Sequence, residues 1–397
     1  MKCITYFVFT IASCYAAEFS ERPRNFSVEL LYHTQLETNG HVVISPFGIW
    51  SLMTGVALGT SGNSRSQLTR AFVLPPQDEM IIDGYTNLTQ TVLDPTTQDV
   101  SLTTRNFLFL DNGFNIIDNF KRTLANDFGA MVKNLDFKDS TSAARIANSI
   151  IESSDATVTN VMHSDDFAES RMILTNVISF KGLWSSPFNV SDTIREPFYD
   201  ENRNLLGEVN MMYQRAPLPY SHIKELKAFV LQLAYGNDTK YCMLIVLPYP
   251  KVNVNEVYSK FTTVTFRDIL NKIDNDLKEF GEDEDVIDVK LPRFKISSNL
   301  ALNKPLNQMG VYDIFSSKKA DFQQITKEDI YISAIVHKAD IEVTESGTVA
   351  SASTIAYFDD RMPPPIFEAN RPFIYFVMER SSATVIFAGT YSKPSVF

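Results

Sequence analysis

The sequence predicts an α+β fold in one large domain of a 397-residue chain. Near the N-terminus, the stretch 24–36 and the segment after Ser45-Pro46 repeat apolar residues at helical spacing. Beyond residue 228, apolar or alternating runs of strand length take over. Helices that precede strands in this way are typical of the α+β class. The chain has no internal repeat, Gly/Ser linker or composition break that would mark a second domain.

Each predicted element has a local reason. The first helix repeats apolar residues from Phe26 to Leu36 and meets a helix stop at Asn39-Gly40. The second helix is apolar nearly throughout, which indicates that it is mostly buried. The predicted strands are AFVLQLAY (228–235), KYCMLIVLP (240–248), DVIDVKLPRFKI (285–296), DIYISAIVHKADIEV (329–343) and ATVIFAGTY (383–391). The acidic run Glu282–Asp285 is expected to be a solvated turn, because it lacks the ligand periodicity of a calcium site.

The first twenty residues, MKCITYFVFTIASCYAAEFS, predict a secretory signal peptide. One lysine precedes a short apolar stretch, and small residues follow at Cys14, Ala16 and Ala17. The apolar part is too short to span a bilayer, and no other segment approaches the length of a membrane span. We therefore expect cleavage after Ala16 or Ala17, removing residues 1–16, and one secreted, extracellular domain over 17–397.

The cysteines and the glycosylation sequons agree with secretion. Cys3 and Cys14 leave with the signal peptide, so Cys242 stands alone and no disulfide framework can form within one mature chain. We interpret Cys242 as a buried small hydrophobic residue rather than a reactive thiol. The four N-x-S/T sequons are at Asn25, Asn87, Asn189 and Asn237. Several sequons beside a signal peptide predict a secreted glycoprotein.

Composition and motifs argue against several classes of function. The formal net charge of −11 disfavours a nucleic-acid surface. The sequence shows no G-x-S-x-G elbow, no phosphate-binding glycine loop and no metal-binding Cys/His arrangement. The scattered histidines are His33, His41, His163, His222 and His337. We therefore expect no metal and no cofactor, and a catalytic triad recognisable only by its geometry is a remote alternative.

The stretch EVTESGTVASASTIAYFDDRMPPP, residues 342–365, has the composition of a strand that could enter an existing sheet. With Thr348 as the first inward position, neither face of the following segment carries charge or proline. The inward row is Thr348, Ala350, Ala352, Thr354 and Ala356, and the outward row is Val349, Ser351, Ser353 and Ile355. Gly347 can supply the dihedral freedom of a hinge. An ordinary alternating strand before a loose connection is the alternative.

Blocks in a fixed order identify a resemblance that extends over essentially the whole mature chain. They are VVISPFGI, GVALGTSGNSRSQL, LTNVISFKGLW, GEVNMMYQ, VLQLAYGNDTKYCMLIVLP, VKLPRFKISSNLALNKPLNQMGVYDIF, ISAIVHKADIEVTESGTVASAST and NRPFIYFVMERSSATVIFAGTYSKP. In this respect the chain resembles the serpins, which are serine protease inhibitors. The resemblance implies helices packed around three β-sheets, with an exposed reactive-centre loop over about 345–366. It implies an inhibitor, not an enzyme.

The resemblance also implies where the loop is cut. Counting from the hinge glycine, Gly347, and back from Asn370 gives the same scissile bond, Arg361-Met362. An arginine there suits trypsin-like serine proteases as partners, because their primary pocket carries an aspartate. The inhibitor would trap the protease as a covalent acyl complex while the cut loop inserts into the central sheet. The hinge residues carried over are Glu345, Gly347, Thr348, Ala350 and Ala352.

A cluster beneath the central sheet, the shutter, is the second feature that the resemblance implies. Ser45, Asn176 and His337 match its hydrogen-bonded residues, and Trp184 matches the tryptophan where the loop enters the sheet. Gly48 stands where serpins usually carry a second shutter serine, which puts one hydrogen bond of the cluster in doubt.

Other expectations concern partners. The helix that binds heparin in some serpins would lie at about Asp78–Leu93, which contains no basic residue, so activation through it is not expected. Asp359 and Asp360 either narrow the range of target proteases or only keep the loop soluble. We expect a monomer. The alternative within the family is a non-inhibitory serpin that acts as a carrier, chaperone or storage protein.

Overall fold

Three β-sheets and the helices that pack on them make up the fold in the computed structural model, which describes residues 26–38, 40–94, 99–154, 158–280, 286–347 and 364–395. The helices are α1 (26–36), α2 (Pro46–Ala57), α3 (Gly62–Ala71), α4 (Asp78–Leu93), α5 (Asp118–Asn126), α6 (Ser140–Ser154), α7 (Ser164–Phe167), α8 (Val254–Lys260), α9 (Phe266–Phe280) and α10 (Asn303–Gln308). The strands are β1 (Val42–Ile44), β2 (Val100–Asp111), β3 (Ala130–Leu135), β4 (Met172–Gly182), β5 (Ile194–Tyr199), β6 (Leu205–Ala216), β7 (Tyr220–Ile223), β8 (Ala228–Tyr235), β9 (Tyr241–Pro248), β10 (Ile287–Pro292), β11 (Phe294–Ala301), β12 (Ile332–Val343), β13 (Ile366–Glu368), β14 (Phe373–Glu379) and β15 (Thr384–Tyr391).

The largest sheet is antiparallel, with the strand order β1-β15-β14-β9-β8-β7. Its strands β9, β14 and β15 are buried at every position, as their continuous apolar runs predict. The residues of these three strands belong to the main hydrophobic core.

The five-stranded sheet has the order β11-β12-β4-β2-β3 and mixes the two kinds of pairing. Strands β12 and β4 are parallel neighbours, as are β2 and β3, whereas β11 with β12 and β2 with β4 are antiparallel. A four-stranded sheet, β13-β10-β6-β5, lies where the chain resumes after the reactive-loop segment.

One predicted strand divides into two. The run 285–296 breaks at Arg293, so that β10 joins the four-stranded sheet and β11 joins the five-stranded sheet. Pro292 ends β10 because proline has no N–H to donate to a ladder. Helices and strands are also less separated along the chain than expected, because β2, β3 and β4 lie between helices in the sequence. The α+β class is nevertheless confirmed.

Helix α2 lies under the five-stranded sheet and positions the site described below. Ser45 caps its N-terminus by accepting a hydrogen bond from the Gly48 N–H at 3.0 Å, and Pro46 occupies the first turn, where it is tolerated. All twelve residues of α2 are buried, as its apolar sequence predicts. The helix contacts β2, β4 and β15.

Two further expectations concern the acidic turn and the absence of a membrane span. The acidic run Glu282–Asp285 lies outside the described residues. Over the part of the chain that the structure describes, no helix has both the length and the apolar character needed to cross a membrane.

Candidate functional site

The candidate site is the seam between β12 and β4. These two strands pair in parallel from Ile332–Met172 to Ala339–Ile178. Strand β12 continues beyond that ladder to Val343, and β4 continues to Gly182. The two strands therefore adjoin over most of their length, and their pairing stops short of the end where the reactive-loop segment begins.

The chain reverses direction immediately after β12. The N–H of Gly347 donates to the Thr344 carbonyl at 3.1 Å, and the Thr344 N–H donates to the Gly347 carbonyl at 3.0 Å. Gly347 also forms an antiparallel bridge with Leu183, the residue after β4. Its φ of +101° favours glycine, and a Cβ would overlap the Gly182 carbonyl. Gly347 thus lies between the ends of the two strands and runs antiparallel to both.

Glu345 fastens the turn to its surroundings. Its side chain is 6% exposed, and its Oε1 accepts a hydrogen bond from Thr193 Oγ1 at 2.7 Å and faces Arg293 Nη1 at 3.5 Å. Its carbonyl accepts from the Phe188 N–H at 2.7 Å. A buried carboxylate requires such partners, so these contacts hold the start of the loop in place.

Trp184 closes the same end of the seam. Its indole Nε1 donates to the Thr344 carbonyl at 3.0 Å, and its ring stacks on Tyr235 with a centroid separation of 4.3 Å. Its N–H donates to the Ser346 carbonyl at 3.1 Å. The structure therefore brings Trp184 and the hinge residues Glu345 and Gly347 together.

His337 and Ser45, two of the expected shutter residues, are hydrogen-bonded to each other on the β12 side of the seam. The Ser45 N–H donates to His337 Nε2 at 2.8 Å, and Ser45 Oγ donates to the Ile386 carbonyl at 2.7 Å. Because Nε2 accepts a hydrogen bond, the proton of the neutral ring lies on Nδ1. Burial lowers the pKa of His337 to about 4, and the Asn176 main chain opposes that shift only in part. The ring is neutral at physiological pH.

Asn176 belongs to a different set of bonds, although it lies opposite His337 in the ladder. Its Nδ2 donates to Asn106 Oδ1 at 2.8 Å, and Asn106 Nδ2 donates to Ser51 Oγ at 2.9 Å. Ser51 shares a hydrogen bond of 2.6 Å with Tyr85 of α4. The sequence analysis missed this series of hydrogen bonds from Tyr85 to Asn176. The signal that could have revealed it is Asn106, a single amide beside the apolar run of β2.

Several predicted positions fall outside the described residues. They are Asn25, Thr348, Ala350, Ala352, Asp359, Asp360, Arg361 and Met362. Among the other sequons, Asn87 and Asn237 are exposed, whereas Asn189 is half-buried and its side chain accepts from the Ser191 N–H at 3.0 Å. Burial raises the pKa of the Cys242 thiol to about 12, which disfavours the reactive thiolate.

The polar side chains at the seam serve as hydrogen-bonding groups. Of the residues that the structure describes, no group of three or more His, Cys, Asp or Glu could hold a metal ion. The polar groups at the seam hold strands to the helix beneath them and to the loop above them.

Comparisons with known proteins establish the family of the chain. The family described as "Serpin (serine protease inhibitor)" matches residues 21–394. The chain therefore belongs to the serpin family, which places it among protease inhibitors rather than among enzymes.

Individual relatives match over nearly their full length. Human leukocyte elastase inhibitor is 32% identical over 363 residues, covering 89% of this chain and 93% of that protein. Intracellular coagulation inhibitor 1 of Tachypleus tridentatus is 28% identical over 371 residues, covering 91% and 86%. The crystal structure of human thyroxine-binding globulin matches with a TM-score of 0.83 at 23% identity, and the match covers 96% of this chain and 100% of that chain. The last likeness concerns the fold, and it confirms helices around three sheets.

Proposed function

We propose that this serpin is a secreted inhibitor of trypsin-like serine proteases. It is cut at Arg361-Met362 and then inserts its own loop between β12 and β4. The observation that carries the proposal is the position of Gly347, which already pairs antiparallel with Thr344 and Leu183 at the open end of the seam.

Continuing that register supports insertion of the following segment. Each small inward residue of the loop would fall between two buried residues of the flanking strands. Thr348 would lie between Val343 and Gly182, Ala350 between Ile341 and Phe180, Ala352 between Ala339 and Ile178, and Thr354 between His337 and Asn176. None of these positions would bury a charge, so the sheet can close around the loop.

The topology also supplies a driving force. The loop would run antiparallel to both β12 and β4, so one parallel ladder would be exchanged for two antiparallel ladders. If roughly a dozen residues each gain a backbone hydrogen bond worth about 0.5–1.5 kcal/mol, the total is on the order of 10 kcal/mol. The uncut protein is then held by a kinetic barrier that cleavage releases.

The chemistry is supplied by the protease. Its serine attacks the Arg361 carbonyl, the bond to Met362 breaks, and Met362 leaves with a free amino group. The acyl-enzyme at Arg361 is then carried along by the inserting loop and deformed before water can hydrolyse it.

Selectivity would follow from the residues beside the cut. Asp359 and Asp360 repel proteases with acidic neighbouring subsites, which favours a regulated cascade protease over a digestive trypsin. The rival explanation is solubility of an exposed loop. If the purified protein traps digestive trypsin as fast as any cascade enzyme, the selectivity hypothesis is wrong.

Secretion and the remaining partner assignments belong to the same proposal. The first check is whether the mature protein lacks residues 1–16. The second is whether it carries glycans at the exposed Asn87 and Asn237, with Asn25 and the half-buried Asn189 as further acceptor sites. Helix α4 (Asp78–Leu93) begins with two acidic residues and has no basic residue, which supports the absence of heparin activation through this helix. The protein would act as a monomer.

A non-inhibitory carrier, chaperone or storage serpin is the second candidate. Proline, charge or bulk in the inward row would favour it, but the residues from Thr348 to Ala356 are small or β-tolerant and uncharged. The comparison with thyroxine-binding globulin supports only the shared fold.

Mixing the protein with trypsin-like proteases tests the proposal. We expect a complex that survives denaturing electrophoresis, and we expect Arg361→Ala to abolish it for arginine-directed proteases. A carrier would be ignored or cleaved without forming a complex, and a hydrolase would turn over small esters. Either result would refute inhibition.

A further inference from the structure

A cleft of about 310 Å³ lies where three parts of the chain meet. They are the turn between β5 and β6, the loop that joins β9 to α8, and the adjoining ends of β14 and β15. The Tyr199 N–H donates to the Asn370 carbonyl at 2.9 Å, which ties the turn to the start of β14. None of the residues that line the cleft belongs to the seam between β12 and β4.

The guanidinium of Arg371 gives the cleft a positive charge. Its Nε and Nη2 donate to the Pro248 carbonyl at 3.1 and 2.7 Å, and no ion pair joins it to a carboxylate of the described residues. Burial lowers the pKa of Arg371, and the attraction of Glu368 does not offset that shift. A half-buried cation of this kind has lost hydration that a bound carboxylate could replace.

Ser392, directly after β15, adds a hydroxyl to the same cleft. Its Oγ is buried and has no hydrogen-bond partner in the described structure. Because Phe373 pairs with Tyr391, the continued register puts position 392 opposite 372, next to Arg371. An unpaired buried hydroxyl costs free energy, and a carboxylate held by Arg371 would accept its hydrogen bond.

The cleft also has an acidic residue and an aliphatic wall. Glu201, in the turn between β5 and β6, is exposed and forms no ion pair with a described residue. The neighbouring Asp200 is already occupied, because its Oδ1 accepts from the N–H groups of Asn202 and Asn204 at 2.8 and 2.7 Å. The aliphatic residues of the wall are Leu206, Val252 and Val254. Of the two carboxylates that line the cleft, Glu201 is therefore the one available to a cation.

We propose that this cleft binds a free α-amino acid with an aliphatic side chain. Arg371 and Ser392 would hold the carboxylate, Glu201 the ammonium group, and the aliphatic wall the side chain. A simple anion would meet the charge of Glu201 and a simple cation that of Arg371, so a ligand with both charges is the complementary one. The inference goes beyond the proposed function, because it uses neither the reactive loop nor the seam.

Three matched ligands separate these contributions. L-Leucine carries both charges, 4-methylpentanoate lacks the ammonium group, and 3-methylbutylamine lacks the carboxylate. In ligand-observed NMR titrations of the intact protein, we expect leucine to bind with a Kd of about 0.1–1 mM. The binding of 4-methylpentanoate should be about two- to fivefold weaker, and that of the amine about tenfold weaker. Absence of leucine binding, or equal affinity for leucine and 4-methylpentanoate, would overturn the proposal.

Glu201→Gln and Glu208→Gln are a matched pair in one hairpin. Glu201→Gln removes the carboxylate proposed to bind the ammonium group, so leucine should weaken to the affinity of 4-methylpentanoate, which should not weaken further. Glu208 lies outside the lining of the cleft and pairs with Arg195, so Glu208→Gln should change neither affinity. A Glu201→Gln protein that binds leucine as tightly as the unmodified protein would contradict the assignment of Glu201.

Ser392→Ala tests the carboxylate end. It removes only a hydroxyl that has no partner in the described structure, so Tm should not fall. Leucine and 4-methylpentanoate should both weaken by about tenfold, because each loses a hydrogen bond to its carboxylate. Unchanged affinities for both ligands would show that the carboxylate binds elsewhere and would overturn the site.

Discussion

The two edges of β4 are built differently. Toward β2, the strand pairs antiparallel along its whole length, from Gly182 opposite Val100 to Met172 opposite Leu110. Toward β12, it pairs in parallel, with a register shift near Ile332, and the pairing stops at Ile178. Parallel pairing is slightly weaker per residue, so the backbone alone makes the β12 edge the easier one to part.

Side chains increase the contrast. On the β2 edge, the hydroxyls of Thr103 and Ser179 share a hydrogen bond of 2.8 Å, and Asn106 accepts from Asn176 at 2.8 Å. On the β12 edge, Asn176 and His337 lie opposite each other in the ladder, and the His337 ring meets the main chain of Asn176 rather than its side chain. Strand β4 is thus joined to β2 by a full antiparallel ladder and to β12 by a shorter parallel one, so the proposed insertion would open the sheet at the β12 edge.

The largest expected effect comes from placing a charge in the path of insertion. Thr348→Arg should leave cleavage at Arg361 intact but convert the inhibitor into a substrate, because the guanidinium would have to be buried between Val343 and Gly182. A cost of several kcal/mol corresponds to a loss of covalent complex of about a hundredfold or more. Denaturing electrophoresis of the reaction products measures it.

Val349→Arg is the matched control, since its side chain would point outward beside the partly exposed Glu342. We expect its yield of complex to stay within about twofold of the unmodified protein. If Thr348→Arg still traps normally, the loop does not insert in this register.

The second largest effect is the melting temperature of the cut protein. A gain on the order of 10 kcal/mol from loop insertion should raise Tm by roughly 12 °C after cleavage in the loop. Differential scanning calorimetry of intact and cleaved protein measures it, and cleaved Thr348→Arg, which cannot insert, should gain little. A cleaved form that melts no higher than the intact form contradicts the stored free energy that the seam is proposed to release.

A smaller effect is the dependence of the free energy of unfolding on pH. The pKa of His337 is about 4 in the folded protein and 6.5 when exposed, so between these values the unfolded chain binds the extra proton. The free energy of unfolding is therefore expected to fall as pH drops from about 6.5 toward 4, by on the order of 3 kcal/mol. Urea denaturation at pH 7 and pH 5 measures the decrease.

His337→Gln should reduce that dependence on pH, because glutamine cannot take up the proton. Burial also lowers the pKa of His41, which contributes in the same direction, so His41→Gln is the comparison variant. A slope that is unchanged in His337→Gln would mean that the β12 edge does not respond to acid through this residue.

The smallest expected effect tests the polar atoms at the middle of the seam. In the inserted state, Thr354 would lie between His337 and Asn176, where its hydroxyl can pair with the buried Asn176 Oδ1. Thr354→Val keeps the shape and removes the hydroxyl, so the cleaved protein should lose about 1 kcal/mol of stability, or about 1 °C in Tm. Intact Tm is the control and should not change.

Much of the fold was predictable because local patterns were strong. The expected strands at 228–235, 240–248 and 383–391 match β8, β9 and β15 closely, and the apolar, buried α2 begins at Pro46 as expected. The division of the segment 285–296 at Arg293 was not predictable, because the apolar pattern of a strand is the same whether its residues join one sheet or two.

Part of the site was predictable as well. Ser45, Asn176, His337 and Trp184 were identified from the family resemblance, and the structure brings each of them to the seam. The relay through Asn106 and Ser51 was not, because buried polar partners are chosen by strand register rather than by spacing along the chain.

The sequence by itself determined the apolar strands, the buried helix after Ser45-Pro46, and a segment of small, uncharged residues after a glycine. Only the tertiary structure decided that β12 lies parallel to β4, that Asn176 faces His337, and that Gly48 lies below them. The physical reason is that the pairing of distant strands is fixed by packing and burial in the assembled core, which no local stretch of sequence records.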